Sequence, residues 1–241
     1  MIVKQDELTD ILLQGAECLG ISLPIDAIKA FIDYYNLLEE RGKSVNLTAV
    51  SGKEEVAKLH FLDSICLLKI AEFKNSKVID VGSGAGFPGI PLKIVEPTID
   101  LTLLDSSSKR INFLEEVCQN LSLDAKCVNS RAEEYAKEMN IRESRDIAVS
   151  RAVARLNVLA ELCLPFVKIG GQFIAMKSIN ADSEISEAMK AIEILGGKLT
   201  EKIDYTIPGT DIVHSAVIIQ KAEKTSEKYP RRFARIQASP L

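Results

Sequence analysis

The sequence predicts an α/β protein with a Rossmann-like fold, in which helices cover both faces of a mainly parallel sheet. From residue 77 onward, short runs rich in β-branched residues alternate with longer segments of helical periodicity, which is typical of βαβ units. Two further strand-like runs then flank a Pro-Gly turn, and they predict an antiparallel hairpin at the carboxyl end of the sheet. Before residue 77 the apolar residues recur at helical spacing, so we expect a helical section there.

The predicted elements follow one another in a regular order. The helical section comprises residues 4–20, the run that Pro24 opens, and residues 54–73. The predicted strands are residues 77–81, 99–104, 124–128, 145–149, 171–177, 198–206 and 212–220. The predicted core helices are residues 89–95, 107–121, 131–139, 155–167 and 182–195. We therefore divide the chain into an N-terminal helical section packed on the core (1–74), the core (75–221) and a basic C-terminal tail (222–241).

The composition limits the class of protein. The 241 residues are 46% hydrophobic and 27% charged, which suits a globular protein with one sizeable core. No stretch approaches the roughly 20 apolar residues of a membrane-spanning helix, and acidic residues occur early where a signal peptide is apolar. The five cysteines lack the Cys-x-x-Cys spacing of a zinc site. We expect a cytoplasmic, metal-free protein without membrane contact, and a monomer because nothing indicates an obligate dimer.

The C-terminal tail is basic although the chain as a whole has a net charge of −4. Residues 221–241 hold six basic and two acidic side chains, and Tyr229 and Phe233 lie among the arginines. Aromatic rings and guanidinium planes both stack on nucleic-acid bases, which favours RNA contact over a merely solvated run of charge. The residues predicted to contact RNA are Arg231, Arg232 and Arg235.

A glycine-rich loop directly follows the first predicted strand. Residues 82–89 read Gly-Ser-Gly-Ala-Gly-Phe-Pro-Gly, and an apolar helix comes next. Open α/β sheets bind ligands at the carboxyl ends of their strands, where glycines such as Gly82 and Gly84 let backbone and ligand approach closely. The following strand ends in Asp105, whose carboxylate can accept hydrogen bonds from ribose hydroxyls. The loop and the acid together predict a nucleoside site.

Two cofactors, S-adenosylmethionine and a dinucleotide, are candidates for this site. The dinucleotide is a candidate because residues 84–89 also satisfy its weak pattern G-x-G-x-x-G. Three features favour S-adenosylmethionine. Asp80 lies at the strand end, where it can help to fix the cationic amino-acid portion directly or through a structured loop. Pro88 removes a backbone donor that a pyrophosphate would use. The antiparallel hairpin suits the methyltransferase variant of the fold. Glycines that serve only a tight turn are a third, less favoured alternative.

Other strand ends and loops carry further candidates for the active site. Arg151 follows the fourth strand, and we favour an active-site role for it over a surface ion pair. Lys177 ends the fifth strand. For this residue an active-site role and a side chain that extends to solvent are equal alternatives. Asn46 is a candidate for contacting the base edge or forming a turn. His60 and Asp63 are spaced so that their side chains meet on a helix, which favours a structural histidine.

Taken together, these residues resemble one family, the bacterial small-subunit ribosomal RNA guanine-N7 methyltransferase G, also called glucose-inhibited division protein B. The resemblance covers nearly the whole chain. Its motifs are Asn46 to Thr48, His60 to Ser64, Asp80 to Gly89, Leu104 to Ser106 with Lys109 and Arg110, Arg131 to Glu133, Ser150 to Val153, Gly170 with Gly171, Lys177, and Tyr229 to Arg232. The tail differs from the family after Arg232, since residues 233–239 replace a segment of Gly, Pro and one or two lysines.

The resemblance implies transfer of a methyl group from S-adenosylmethionine to N7 of one guanine in 16S ribosomal RNA of the small subunit, with S-adenosylhomocysteine as product. It also implies cofactor contacts at Gly82, Phe87, Ala132, Glu133 and Arg151, and Ser106 belongs to the same motif set. Residues 130–133 have an alternative or additional role as a helix capping box, with Ser130 as the cap. Guanine N7 carries a free lone pair, so the reaction needs no catalytic His or Asp.

Overall fold

The computed structural model describes residues 7–45 and 52–241, and these residues form a seven-stranded sheet covered by helices on both faces. The strands are β1 (Lys77–Val81), β2 (Asp100–Asp105), β3 (Ala125–Asn129), β4 (Arg145–Arg151), β5 (Val167–Ser178), β6 (Gly197–Thr206) and β7 (Val213–Lys221). Their order is β3-β2-β1-β4-β5-β7-β6. The first five strands run parallel, and β7 is antiparallel to both β5 and β6. The predicted parallel sheet with a closing antiparallel hairpin is confirmed.

The helices occupy the places that the sequence predicts, except for the last one, which lies in the tail. They are α1 (Glu7–Cys18), α2 (Ile25–Val45), α3 (Lys53–Val56), α4 (Asp63–Ile65), α5 (Gly89–Val95), α6 (Ser108–Asn120), α7 (Ala132–Tyr135), α8 (Leu156–Cys163), α9 (Asp182–Ile194) and α10 (Phe233–Ala238). A π-helical turn, Ala57–Leu62, joins α3 to α4, and a 3-10 turn, Cys66–Lys69, follows α4. Within the described residues, no helix is long and apolar enough to cross a membrane.

Three predicted helical segments are too long. The one predicted over residues 54–73 ends with the 3-10 turn at Lys69. The helix predicted over residues 155–167 ends at Cys163, because Pro165 has no N–H for a helical hydrogen bond, and β5 then begins at Val167. The helix predicted over residues 131–139 ends at Tyr135. The backbone N–H of Lys137 bonds to Glu134 O at 3.1 Å, three residues back, which tightens the chain into turns.

The sheet divides the hydrophobic core into two layers, because neighbouring residues of a strand point to opposite faces. Val78 of β1 packs in one layer with the N-terminal helices, including Phe31 of α2 and Phe61 of the π-helical turn. Ile79 packs in the other layer with α8, α9 and the tail. The helical section thus shares one core layer with the sheet, and the division of the chain at residues 74 and 221 stays a prediction.

The C-terminal tail is fixed to the sheet domain by a buried ion pair. Arg231 donates hydrogen bonds from its Nη2 to Glu161 Oε2 at 2.6 Å and from its Nε to Oε1 at 2.9 Å, and its backbone N–H reaches Oε1 at 2.8 Å. Glu161 is fully buried in α8, whereas the Arg231 side chain is 15% exposed. Arg142 also donates to the carbonyl of Tyr229 at 3.0 Å. Arg231, one of the three arginines that the sequence assigns to RNA contact, is therefore engaged in an intramolecular ion pair. The buried carboxylate of Glu161 requires its positive charge.

We expect Arg231→Met to lower the free energy of unfolding by about 2–4 kcal/mol, because Glu161 is left charged and buried without its partner. Arg235→Met is the matched control: this exposed residue lies in the same tail, and its substitution changes stability by no more than about 0.5 kcal/mol. Urea unfolding of the three proteins measures both values. Equal stabilities for the two variants would contradict the anchoring role of Arg231.

Candidate active site

A cavity of about 630 Å³ lies at the carboxyl ends of β1, β2, β3 and β4. Eight residues that the sequence singles out line it together: Gly82, Gly84, Phe87, Asp105, Ser106, Ala132, Glu133 and Arg151. The structure also places side chains there that the sequence analysis did not assign to the site, namely His60, Ser83, Arg110, Arg131, Leu162 and Phe233. The individual binding roles stay predictions, but the cavity explains why residues far apart in sequence belong to one site.

The glycine loop is held rigidly against the end of β2. The backbone N–H groups of Gly82 and Ser83 both donate to Leu104 O, at 2.8 and 3.1 Å. The Ser83 hydroxyl accepts from the backbone N–H of Leu104 at 3.0 Å and donates to Asp80 O at 2.9 Å. Gly82 has φ 75°, a conformation that strains any residue with a side chain, and a Cβ there would lie 2.5 Å from Val153 Cγ2. This fixed loop forms the floor of the cavity.

The carboxylate of Asp105 is buried and fixed in orientation. One oxygen accepts from Gly84 N at 3.0 Å and from Arg110 Nη1 at 3.3 Å, and the other accepts from Ser107 N at 2.9 Å. Carboxylate oxygens accept several hydrogen bonds each, so this side chain retains acceptor capacity toward the cavity that it lines. The position matches the acid that the sequence analysis assigns to ribose hydroxyls.

A second carboxylate, that of Glu133, lines the end of the cavity beside β3. The residue is 5% exposed, and within the described part of the chain its carboxylate has no hydrogen-bond partner. The predicted capping box is absent, because Ser130 donates to Arg131 O at 3.3 Å and makes no capping bond to α7. Because this carboxylate lines the cavity and accepts no hydrogen bond from the described residues, its acceptor capacity is open to a ligand there, which supports a binding role for Glu133.

The guanidinium of Arg151 forms the opposite end of the cavity, beside β4. Its Nη1 donates to Asp63 Oδ2 at 3.0 Å and to Leu59 O at 3.1 Å. Its centre lies 4.9 Å from the ring of Phe87, which also stacks on His60 at 4.5 Å. The Arg151 side chain is only 15% exposed, and its contacts with Asp63, Leu59 and Phe87 fix the orientation of the guanidinium. Its remaining surface faces the cavity.

Asp63 is the residue on which this arrangement depends, and it is fully buried. Its other oxygen, Oδ1, accepts from Tyr205 OH at 2.9 Å and lies 3.0 Å from His214 Nδ1. Burial acts to raise the pKa of Asp63, but the hydrogen bond from His214 and the charge of Arg151 hold that pKa below its ordinary value. Asp63 therefore carries a negative charge that neutralises Arg151, and it connects the helical section to β4 and to both strands of the hairpin.

The sequence predicts that the side chains of His60 and Asp63 meet, but in the structure both of them contact Arg151. The guanidinium lies between them, with Nη2 3.1 Å from His60 Nδ1 and Nη1 on Asp63. His60 belongs to the π-helical turn, in which the usual spacing of side chains along a helix is lost. Burial, followed by the nearby charge of Arg151, lowers the pKa of His60 to about 4. The imidazole is thus neutral at neutral pH.

Asp80 lies behind the glycine loop and does not line the cavity. Its Oδ2 accepts from Gly89 N at 2.9 Å, and its Oδ1 has no partner in the described residues. Complete burial raises the pKa of Asp80 to about 7. Of the two roles that the sequence allows, this enclosed position favours support through the loop over direct contact with a ligand, and the binding role of Asp80 stays a prediction.

The remaining candidates lie outside the cavity. Lys177 donates to Glu184 at 2.7 Å and to Ala154 O at 2.7 Å, so its ammonium is held by its neighbours and does not extend freely to solvent. Arg232 and Arg235 are exposed on the tail. Asn46 lies outside the described residues. Among the residues that are described, no group of three or more His, Cys, Asp or Glu is placed to hold a metal ion.

Comparisons with known proteins agree with this geometry. The family model described as rRNA small subunit methyltransferase G matches residues 27–206. The chain is 46% identical to a ribosomal RNA small subunit methyltransferase G of Clostridium tetani, over 96% of this chain and 98% of that protein. It is 51% identical to the protein of the same name from Clostridium botulinum, over 88% and 89%. A methyltransferase structure from Pyrococcus furiosus matches with a TM-score of 0.55 at 10% identity, over 78% of this chain and 95% of that one.

The pair formed by Asp63 and Arg151 leads to a prediction about stability. In a double-mutant cycle of Asp63→Asn and Arg151→Met, we expect a coupling energy of about 2–4 kcal/mol, because each single substitution leaves a buried group without its partner. The exposed pair Arg155 with Glu187, substituted in the same way, should couple by no more than about 0.5 kcal/mol. Urea unfolding gives both values. A coupling at residues 63 and 151 as weak as that of the exposed pair would contradict the role of Asp63.

The raised pKa of Asp80 predicts how stability depends on pH. Because the folded protein binds this proton more tightly than the unfolded chain, the contribution of Asp80 is most favourable below its ordinary pKa of 3.8 and is lost as the pH rises through about 7. Asp80→Asn keeps an acceptor for Gly89 N and cannot ionise. We expect wild-type stability to fall relative to this variant between pH 5 and pH 8 by an amount on the order of 2–4 kcal/mol. A difference that stays constant over this range in urea unfolding would contradict the prediction.

Proposed function

We propose the function of this chain from the premise that it belongs to the rRNA small subunit methyltransferase G family. It is an enzyme that transfers a methyl group from S-adenosylmethionine to ribosomal RNA of the small subunit. The acceptor that we propose is N7 of one guanine in 16S ribosomal RNA, and S-adenosylhomocysteine is the product. The site of action is the cytoplasm, where this RNA is found, and the enzyme works as a monomer.

The observation that carries the proposal is the distribution of charge around the cavity. Asp105 lies at its centre, Glu133 at the end beside β3, and Arg151 at the end beside β4. This arrangement fits S-adenosylmethionine, with its ribose hydroxyls on Asp105, its adenine toward Glu133 and its amino-acid portion over the glycine loop. A volume of about 630 Å³ is large enough for a nucleoside of this size and leaves room beside Arg151 for an acceptor base. When bound, the cofactor supplies a methyl group on a positively charged sulfur.

The protonation states in the site agree with a reaction that needs no general base. Guanine N7 has an in-plane lone pair that is unprotonated at neutral pH, so it attacks the methyl group directly. His60 is neutral and its Nδ1 lies against Arg151, while the carboxylates of Asp63 and Asp80 are enclosed in the protein. None of these groups is available as a base toward the acceptor. The contribution of the protein is to align the acceptor, the methyl group and the sulfur.

Arg151 is the residue proposed to orient the acceptor base. A guanidinium donates well to guanine O6, the acceptor atom next to N7. Its charge would oppose the positive charge that develops on the purine, but Asp63 neutralises it at 3.0 Å. The pair therefore offers directed hydrogen bonds with little net charge. Guanine N7 in structured RNA becomes accessible when the base is splayed out of its stack, and the open end of the cavity receives it.

The exposed cations near the cavity are proposed to hold the RNA backbone. Arg110 lines the cavity itself, and Arg232 and Arg235 are exposed on the tail. Phosphate contacts of this kind position an RNA without selecting its sequence. Arg231 contributes to the tail through Glu161, and we propose that it supports the RNA-facing residues instead of contacting RNA itself. Asn46 and Lys177 remain candidates, Lys177 as a residue that orders the end of β5 through Glu184.

Methyl transfer from labelled S-adenosylmethionine to unmodified 16S ribosomal RNA and to 30S subunits tests the function. We expect one N7-methylguanine on mapping. Arg151→Met should lower the rate of transfer by at least about 100-fold with cofactor affinity reduced far less, because the acceptor is no longer aligned. Arg155→Met, which removes an exposed arginine four residues away, should act like the wild type.

Three outcomes would contradict parts of this proposal. Binding of S-adenosylhomocysteine without methyl transfer to either RNA would show that 16S ribosomal RNA is not the substrate. A methyl group mapped to another atom would remove the N7 assignment, and full activity of Arg151→Met would remove this residue from the mechanism.

A further inference from the structure

We propose that Phe233 of the C-terminal tail, together with Arg131, forms the outer wall of the adenine end of the cavity, so that the tail is part of the cofactor site. The inference rests on the proposed function, because it takes S-adenosylmethionine as the ligand. It changes the role of the tail, which the sequence analysis assigns to RNA contact alone.

The strand order defines which end of the cavity receives the adenine. The cavity crosses the strand ends in the order β3, β2, β1, β4, and Asp105 at the end of β2 marks the place of the ribose. The glycine loop and Arg151 lie on the β1 and β4 side. Residues 130–133 lie beyond Asp105, after β3. The nucleoside base therefore extends toward residues 130–133, and the reacting end lies toward Arg151.

Phe233 lies at this adenine end although it is about 100 positions away in sequence. It lines the cavity, and its ring centre is 5.9 Å from the guanidinium carbon of Arg131, which lines the cavity as well. Arg131 directly precedes α7 and therefore neighbours Ala132 and Glu133. A contact between Phe233 and Arg131 thus places an aromatic face and a guanidinium plane beside the residues expected at the adenine.

The wall is fixed in place by the same contacts that anchor the tail. Arg231, two residues before Phe233, is bonded to Glu161, and the next residue of α8, Leu162, also lines the cavity. Ile236 of α10 is fully buried in the core layer that contains α8. Because the tail is anchored before and after Phe233, its ring is presented to the cavity at little entropic cost when a ligand binds.

The chemistry of the wall fits a purine. Planar heteroaromatic rings stack on phenyl rings and on guanidinium planes, and such contacts tolerate any base because each base has a π face. Glu133 supplies the acceptor that an exocyclic amino group of adenine requires. The alternative ligand that could stack on this wall is a base of the RNA. The cavity end beside β3 favours the cofactor, since the acceptor guanine has to reach the methyl group at the other end.

The test is the dissociation constant of S-adenosylhomocysteine, measured by isothermal titration calorimetry without RNA. We expect Phe233→Ala to raise the dissociation constant about fivefold to tenfold, and Phe233→Tyr, which keeps the ring, to stay within about twofold of the wild type. Arg131→Ala removes an exposed side chain without risk to the fold and should raise it about threefold. Gln237→Ala, exposed on the same helix and not among the residues that line the cavity, is the matched control and should leave the dissociation constant unchanged.

The outcomes separate this inference from the function on which it rests. If the wild type binds S-adenosylhomocysteine and both Phe233→Ala and Arg131→Ala bind it equally well, the wall does not contact the cofactor and the inference is wrong. A raised KM for RNA with unchanged cofactor affinity in these variants would assign the wall to the RNA. Failure of the wild type to bind S-adenosylhomocysteine would overturn the proposed function and this inference together.

Discussion

The carboxylate of Asp63 has no access to solvent, so its hydrogen bonds and its counter-charge must come from within the protein. They come from three separate parts of the chain: Arg151 at the end of β4, Tyr205 in β6 and His214 in β7. Asp63 itself belongs to the helical section. One buried charge thus joins that section, the parallel sheet and the hairpin at the edge of the cavity. The orientation of Arg151, and with it the shape of the proposed acceptor end, depends on all three parts being in place.

The rest of the site also relies on fixed geometry more than on groups that exchange protons. The glycine loop is held by backbone bonds to Leu104, and Asp80 supports it from below through Gly89. His60 stays neutral beside Arg151. This is the kind of site that a methyl transfer to an unprotonated ring nitrogen requires, since alignment of the reactants is the main contribution that a protein can make to such a step. The same rigidity extends to the tail, which the pair of Arg231 with Glu161 holds against α8.

The fold and the centre of the site follow from the sequence because they depend on local patterns. Alternating strands and helices predict the sheet, and the glycine loop with Asp105 locates the cavity at its carboxyl edge. The role of Asp63 was not predictable, since its partners in β4, β6 and β7 are 88 to 151 residues away. The position of Phe233 and the engagement of Arg231 depend likewise on tertiary packing of the tail. The sequence locates Asp80 at the end of β1, but only the structure shows that its side chain is enclosed below the loop.

A crystal structure with S-adenosylhomocysteine bound shows at once which end of the cavity faces the reaction and whether Asp63 still holds Arg151. We expect the ribose hydroxyls on Asp105, the adenine between Glu133 and Phe233, and the sulfur directed toward Arg151, with Arg151 still bonded to Asp63. A nucleoside bound in the reverse direction, or a guanidinium released from Asp63 to reach the cofactor, would contradict this expectation.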